Sequence, residues 1–174
     1  MSEFPFPNEE IDPVESQEEP EHISGWRAFA TLGEFLRDDG WYPQQLENKA
    51  LFRVYFSGDN GDLRCYAQIR VDLDQFIFYV IAPIKAPAAM RPAVAEYITR
   101  ANFGLRIGNF ELDYSDGEIR YKSSLDFEGV ELTPELLKNA IYPAVHTMDF
   151  YLPGLLSVLY GSKTPEDAID EIEG

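Results

Sequence analysis

The chain is short of the residues that most catalytic and metal chemistry needs. One cysteine, Cys65, stands in 174 residues, which excludes an internal disulfide and any cysteine-based zinc cluster. There are two histidines, His22 and His146, and only 14 Lys plus Arg against 31 Asp plus Glu, a net charge of −17. Sequence-independent nucleic-acid binding needs bases that displace phosphate counterions, and docking on anionic lipid needs them as well. Neither nucleic acid nor membrane is therefore expected as a partner. No apolar run approaches the length of a membrane span. The start, Met-Ser-Glu-Phe-Pro, lacks the basic and apolar regions of a secretion signal, so a cytoplasmic location is expected. No GxSxG elbow, phosphate-cradling loop or GxGxxG turn occurs, and no repeat of solenoid or propeller period. No catalytic residue, metal or cofactor is expected, and the chain reads as not an enzyme.

What remains is globular. Hydrophobic residues make up 45% and aromatics 14%, enough for one ordinary domain with a sizeable core. The acids crowd the ends. Glu3, Glu9, Glu10, Asp12, Glu15, Glu18, Glu19 and Glu21 lie in residues 1–22 without a Lys or Arg, and five more lie in the last ten residues. Removing these 13 from 31 leaves 18 acids against all 14 bases, so residues 23–164 carry only −4. Composition predicts a disordered acidic arm over residues 1–22 and one folded domain over 23–174. Phe4-Pro5-Phe6-Pro7 puts a stiff apolar cluster on that arm.

Periodicity predicts the elements. Ser24 caps a helix to about Asp39, with Trp26, Phe29, Leu32 and Leu36 as its buried stripe and Gly40 at its end. Strands follow over 50–57 and 63–71. They are joined by Gly58-Asp59-Asn60-Gly61, read as a hairpin because these residues tolerate positive φ. A third strand, Phe76–Ile81, is apolar on both faces and should be central. A helix over 89–103 buries Val94, Tyr97, Ile98 and Ala101, with Pro92 in its first turn. A second hairpin spans 106–114 and 118–127. Thr133-Pro134-Glu135 starts a long helix towards Tyr160, which Pro143 and Pro153 should kink or interrupt. Thr164-Pro165-Glu166 starts a short last one. The order α-β-β-β-α-β-β-α(α) predicts an α+β fold, an antiparallel sheet with helices on one face.

Two groups of residues are candidates for binding. Alternation places Arg53, Tyr55, Arg64, Tyr66, Arg70, Arg120 and Lys122 on the sheet face opposite the core. Arg and Tyr dominate binding hot spots, and the same residues also serve as ordinary cross-strand stabilisers. An acidic client segment docking on this stripe and the return of the chain's own residues 3–19 to it both remain open. The second candidate is a pocket between the sheet and the long helix, lined by Tyr142, His146 and Tyr151, which would make the chain a small-ligand binder or a cryptic enzyme instead. His146 and Asp149 share a helical face, but two groups fall short of a metal site. Cys65 alternates with apolar residues and reads as core.

Several stretches taken in order resemble the YbjN-like bacterial family. They are Gly40-Trp41, the Gly58–Gly61 tetrad, Tyr97–Asn102 followed by Gly108–Asp113, Asp116–Tyr121, and Gly161–Ala168. The similarity covers about residues 24–173 and leaves out the acidic arm. It implies a fold like that of type III secretion chaperones, whose element order is the one read above. Such chaperones are non-enzymatic, dimeric, and hold extended client segments. YbjN-like proteins are labelled sensory transduction regulators, and no catalytic residues carry over. The expectation is a non-enzymatic protein-binding module, a chaperone or regulatory adaptor, that forms a homodimer. Asn102, Gly108 and Asn109 belong to the family motif. They read as a helix C-cap, a close backbone approach and a turn residue.

Overall fold

The structure, a computed structural model, describes residues 22–46 and 48–174. The acidic arm, and with it the return of residues 3–19 to the sheet, lies outside the described residues up to position 21.

Helix α1 (Ile23–Asp38) leads into a two-residue strand β1 (Gln44–Gln45). Strands β2 (Leu51–Ser57), β3 (Asp62–Arg70) and β4 (Gln75–Ile81) follow. A single 3-10 turn at Ala88–Met90 precedes helix α2 (Arg91–Asn102). Strands β5 (Asn109–Leu112) and β6 (Ile119–Asp126) form the second hairpin, and helices α3 (Pro134–Leu159) and α4 (Pro165–Glu173) close the chain. All strand pairings are antiparallel, in the order β1-β2-β3-β4-β6-β5. The expected α+β architecture is present, and β4 is central because β3 and β6 pair on its two sides.

Alternation sorts the strand residues. Phe52, Val54, Leu63, Cys65, Ala67, Ile69, Phe76, Phe78, Val80, Ile119 and Tyr121 are buried on one face. They join the apolar sides of the helices in a single core cluster. Thr133 and Thr164 cap α3 and α4 by accepting from Leu136 N–H and Asp167 N–H at 3.3 and 3.1 Å, each with Pro at the first helical position.

Four sequence expectations need correction. Ser24 does not cap α1, which starts at Ile23 behind His22 without a side-chain cap. Trp26 is 53% exposed, and Gly25 is buried in its place. A Cβ on Gly25 would lie 2.4 Å from the Val71 carbonyl oxygen. The helix therefore touches the sheet through Gly25, and the next side chain, about 100° round the axis, points away. The Gly58–Gly61 loop forms the hairpin, but none of its residues has positive φ. Its Gly58 answers to a neighbouring helix, described below. Finally, Pro143 and Pro153 do not interrupt α3, which runs unbroken for 26 residues. Asn60 supplies a substitute for one bond that Pro153 removes.

Candidate functional site

All seven candidate residues on the sheet share its outer face, and strand register arranges them in rows. One row is Tyr55, Arg64, Ile81, Arg120 and Glu111 across β2, β3, β4, β6 and β5. The next is Gln44, Arg53, Tyr66, Tyr79, Lys122 and Asn109, now with β1 included. Arg70 lies further along, opposite Gln75. At the β2–β3 end, the register makes a two-by-two tile: Tyr55 faces Arg64, and Arg53 faces Tyr66.

The two ends of the face differ in charge state. At the β5–β6 end, Glu111 accepts from Arg120 Nε at 2.7 Å and from Lys122 Nζ. Arg120 also lies over the Tyr79 ring at 4.3 Å. Burial alone would raise the Glu111 carboxyl, but the hydrogen bonds from Lys122 and Arg120 outweigh it and hold the group below its ordinary value. Arg70 pairs with Asp72 at 3.4 Å. These three bases are internally compensated. Arg53 and Arg64 have no carboxylate partner among the described residues. Arg53 donates through Nη2 to Gln44 Oε1, while its Nε is buried with no acceptor. Tyr55 beside them is 61% exposed.

The second candidate group is only partly brought together, with the Tyr142 ring stacked on the His146 ring at 5.9 Å between centroids. His146 and Tyr151 line an open groove of about 480 Å³ with Asn60, Leu105, Thr147 and Phe150. Tyr142 is not in it. Its hydroxyl donates to Asp39 Oδ2 at 2.6 Å and its ring packs edge-on against Trp41. The Tyr151 hydroxyl donates to Glu173 Oε1 at 2.7 Å, and its carbonyl accepts from the Tyr97 hydroxyl at 2.8 Å. Burial, then the hydrogen bond to Glu173, pushes the Tyr151 phenol well up, so it stays protonated. Asp149 does not pair with His146. Its Oδ2 and Oδ1 accept from the backbone N–H groups of Asp59 and Asn60 at 3.0 and 2.9 Å. No group of three or more His, Cys, Asp or Glu able to hold a metal ion occurs among the described residues. Cys65 is buried, and desolvation pushes its thiol up to about 12.

The hairpin clamp on α3 was not read from the sequence. The Asn60 side-chain amide donates to the Asp149 carbonyl at 3.0 Å. A Cβ on Gly58 would sit 2.2 Å from Asp149 Oδ1, and one on Gly61 would sit 2.9 Å from Leu152 Cδ2. Gly58 is needed for close approach to the Asp149 carboxylate that the hairpin backbone holds in place. Asn102 likewise is the last residue of α2 rather than its cap: it brackets β5 by accepting from Phe110 N–H at 2.7 Å and donating to Phe110 O at 3.1 Å. Gly108 is the expected close approach, with φ 78° and the Lys122 carbonyl oxygen 2.5 Å from its would-be Cβ. Asn109 lies within β5 and has no left-handed backbone.

No curated protein matches the chain in sequence. Solved structures similar in fold include the following two. A chain from the crystal structure of the ExsC–ExsE complex superposes with a TM-score of 0.51 at 11% identity, over 74% of this chain and 93% of that one. YbjN from E. coli superposes with a TM-score of 0.52 at 16% identity, over 77% of this chain and 90% of that one. The architecture is thus the secretion-chaperone-like one expected, resembling the ExsC fold. No helix among the described residues is long and apolar enough to cross a membrane. Residues 29–157 match the model of the YbjN family, described as "Putative bacterial sensory transduction regulator", and the chain belongs to that family.

Proposed function

We propose that this chain is a non-enzymatic protein-binding module, a chaperone or regulatory adaptor of the bacterial cytoplasm. In this reading an extended acidic segment of a client protein crosses the tile of Arg53, Tyr55, Arg64 and Tyr66. The observation that carries it is the uneven charge state of the outer face: Arg70, Arg120 and Lys122 have carboxylate partners, and Arg53 and Arg64 have none among the described residues. In a chain of net charge −17, two uncompensated guanidinium groups beside two tyrosines offer charge-assisted hydrogen bonds and cation–π contact at one place. Family membership and a fold shared with a chain of the ExsC–ExsE complex support a protein-binding role. A homodimer belongs to the same proposal. It is supported by Phe103, 91% exposed, and Ile107, which flank the groove residue Leu105.

The test is affinity capture from bacterial lysate with the full chain and its Arg53→Glu/Arg64→Glu variant, read by quantitative mass spectrometry. One or a few proteins held by the native chain and lost with the charge reversal are expected. Equal capture by both chains, or no capture by either, would overturn the reading. Light scattering of the purified chain decides the dimer separately.

The groove with His146 and Tyr151 is the weaker alternative. It is open to solvent, and Asp149, its buried carboxylate, is already engaged by the hairpin.

A further inference from the structure

The tile described above has an occupant of suitable chemistry in the same chain. Residues 1–21 carry eight acids and no Lys or Arg, with Phe4 and Phe6 ahead of Glu9 and Glu10. The tile offers what such a segment lacks: the two guanidinium groups without carboxylate partners among the described residues and an exposed Tyr55 ring.

The path is short. Helix α1 begins beside the β3–β4 turn, where Gly25 meets Val71 and His22 lies within coulombic reach of Asp72. Arg70 is at that end of β3. Arg64 lies six residues further along the strand, about 20 Å at 3.3 Å per residue. Twenty-one residues extend to roughly 70 Å, so reach does not limit contact. Near the turn the one outer-face base, Arg70, is already paired with Asp72, and the outer-face bases without a carboxylate partner among the described residues are those of the tile.

We propose that residues 3–19 dock on Arg53, Tyr55, Arg64 and Tyr66 as a tethered competitor for the client. The proposal rests on the reading of that face as the client site. Tethering places the arm at an effective concentration of the order of millimolar. A client must then displace it, and its apparent affinity falls by the fraction of chains in which the face is open. The arm's contacts are exposed ion pairs, screened within about 10 Å at 0.1 M salt. Docking is therefore reversible, weakening as ionic strength rises.

The experiment uses the full chain with Asn8→Cys, spin-labelled at that position, since native Cys65 is buried and its thiol protonated. Amide peak intensities are compared with the label oxidised and reduced. Loss of most intensity at residues 53, 55, 64 and 66, with α4 spared, is expected. Charge reversal at Arg53 and Arg64 should restore those peaks, and so should high salt. Unaffected tile peaks, or broadening that survives the charge reversal, would overturn the proposal. The two readings fail separately. If the arm does not dock, the label experiment is negative while capture still depends on Arg53 and Arg64. If the face has no client, capture is lost while the label experiment stays positive.

Discussion

The Asn60 side-chain amide donates to the Asp149 carbonyl at 3.0 Å, four residues before Pro153, whose ring nitrogen has no hydrogen for that carbonyl. A hairpin residue thus replaces a helical donor, and the Asp149 carboxylate returns two bonds to the hairpin backbone. This reciprocity offsets the hydrogen bond that Pro153 removes from the helix.

Asp149→Ala should lower stability by about 3 kcal/mol, since it strips acceptors from two part-buried N–H groups held by a charged partner. Urea denaturation measures it. A loss below about 0.5 kcal/mol, the scale of an ordinary surface substitution, would mean that the clamp does not hold the hairpin.

Gly58→Ala should destabilise because of Asp149 and not because of its backbone, which is not left-handed. The two substitutions should then be non-additive. In a double-mutant cycle the Gly58→Ala penalty should shrink by about 1 kcal/mol or more when Asp149 is alanine. Strict additivity would place the glycine requirement elsewhere.

Cys65 should resist thiol reagents in the native state. Its thiol is raised to about 12 by burial, so thiolate is scarce at pH 8 and access is closed. Labelling should follow global unfolding in urea. Rapid labelling without denaturant would show that the β3 core opens locally.

Glu111 should make stability fall with acid. Its folded-state pKa lies below the ordinary carboxyl value of 4.5, so the unfolded chain takes up the proton first as pH drops. The contribution is complete above about 4.5 and is lost as pH falls through the lower folded value. Glu111→Gln should be less stable than the native chain at pH 6, with the difference narrowing towards pH 3. A difference that stays constant across this range would argue against an ionised Glu111 anchoring Arg120 and Lys122.

The readable part of the fold was the part governed by local chemistry. Thr133-Pro134 and Thr164-Pro165 announced two helices, and Val94, Tyr97, Ile98 and Ala101 marked the inner side of a third. The outer face was readable because strand alternation decides sides. Its division into compensated and uncompensated ends was not, because Glu111 reaches Arg120 and Lys122 only through the β5–β6 register. Trp26 is apolar yet faces out, because the close contact between Gly25 and Val71, which residue type does not reveal, sets the rotation of α1. The tetrad Gly58–Gly61 looked like a local turn signal, whereas its Gly58 serves a contact with α3 some ninety positions later. Strand β1 left no pattern, since two glutamines, Gln44 and Gln45, carry no periodicity.

The clamp also bears on how the molecule breathes. Hairpin tips normally exchange their amide hydrogens with solvent quickly, because they open without disturbing the rest of a protein. Here the N–H groups of Asp59 and Asn60 end on α3, whose buried side runs through the core. Opening the tip means detaching it from that helix. These two amides should therefore exchange on the slow timescale of the helix, making the loop kinetically part of the core it overhangs.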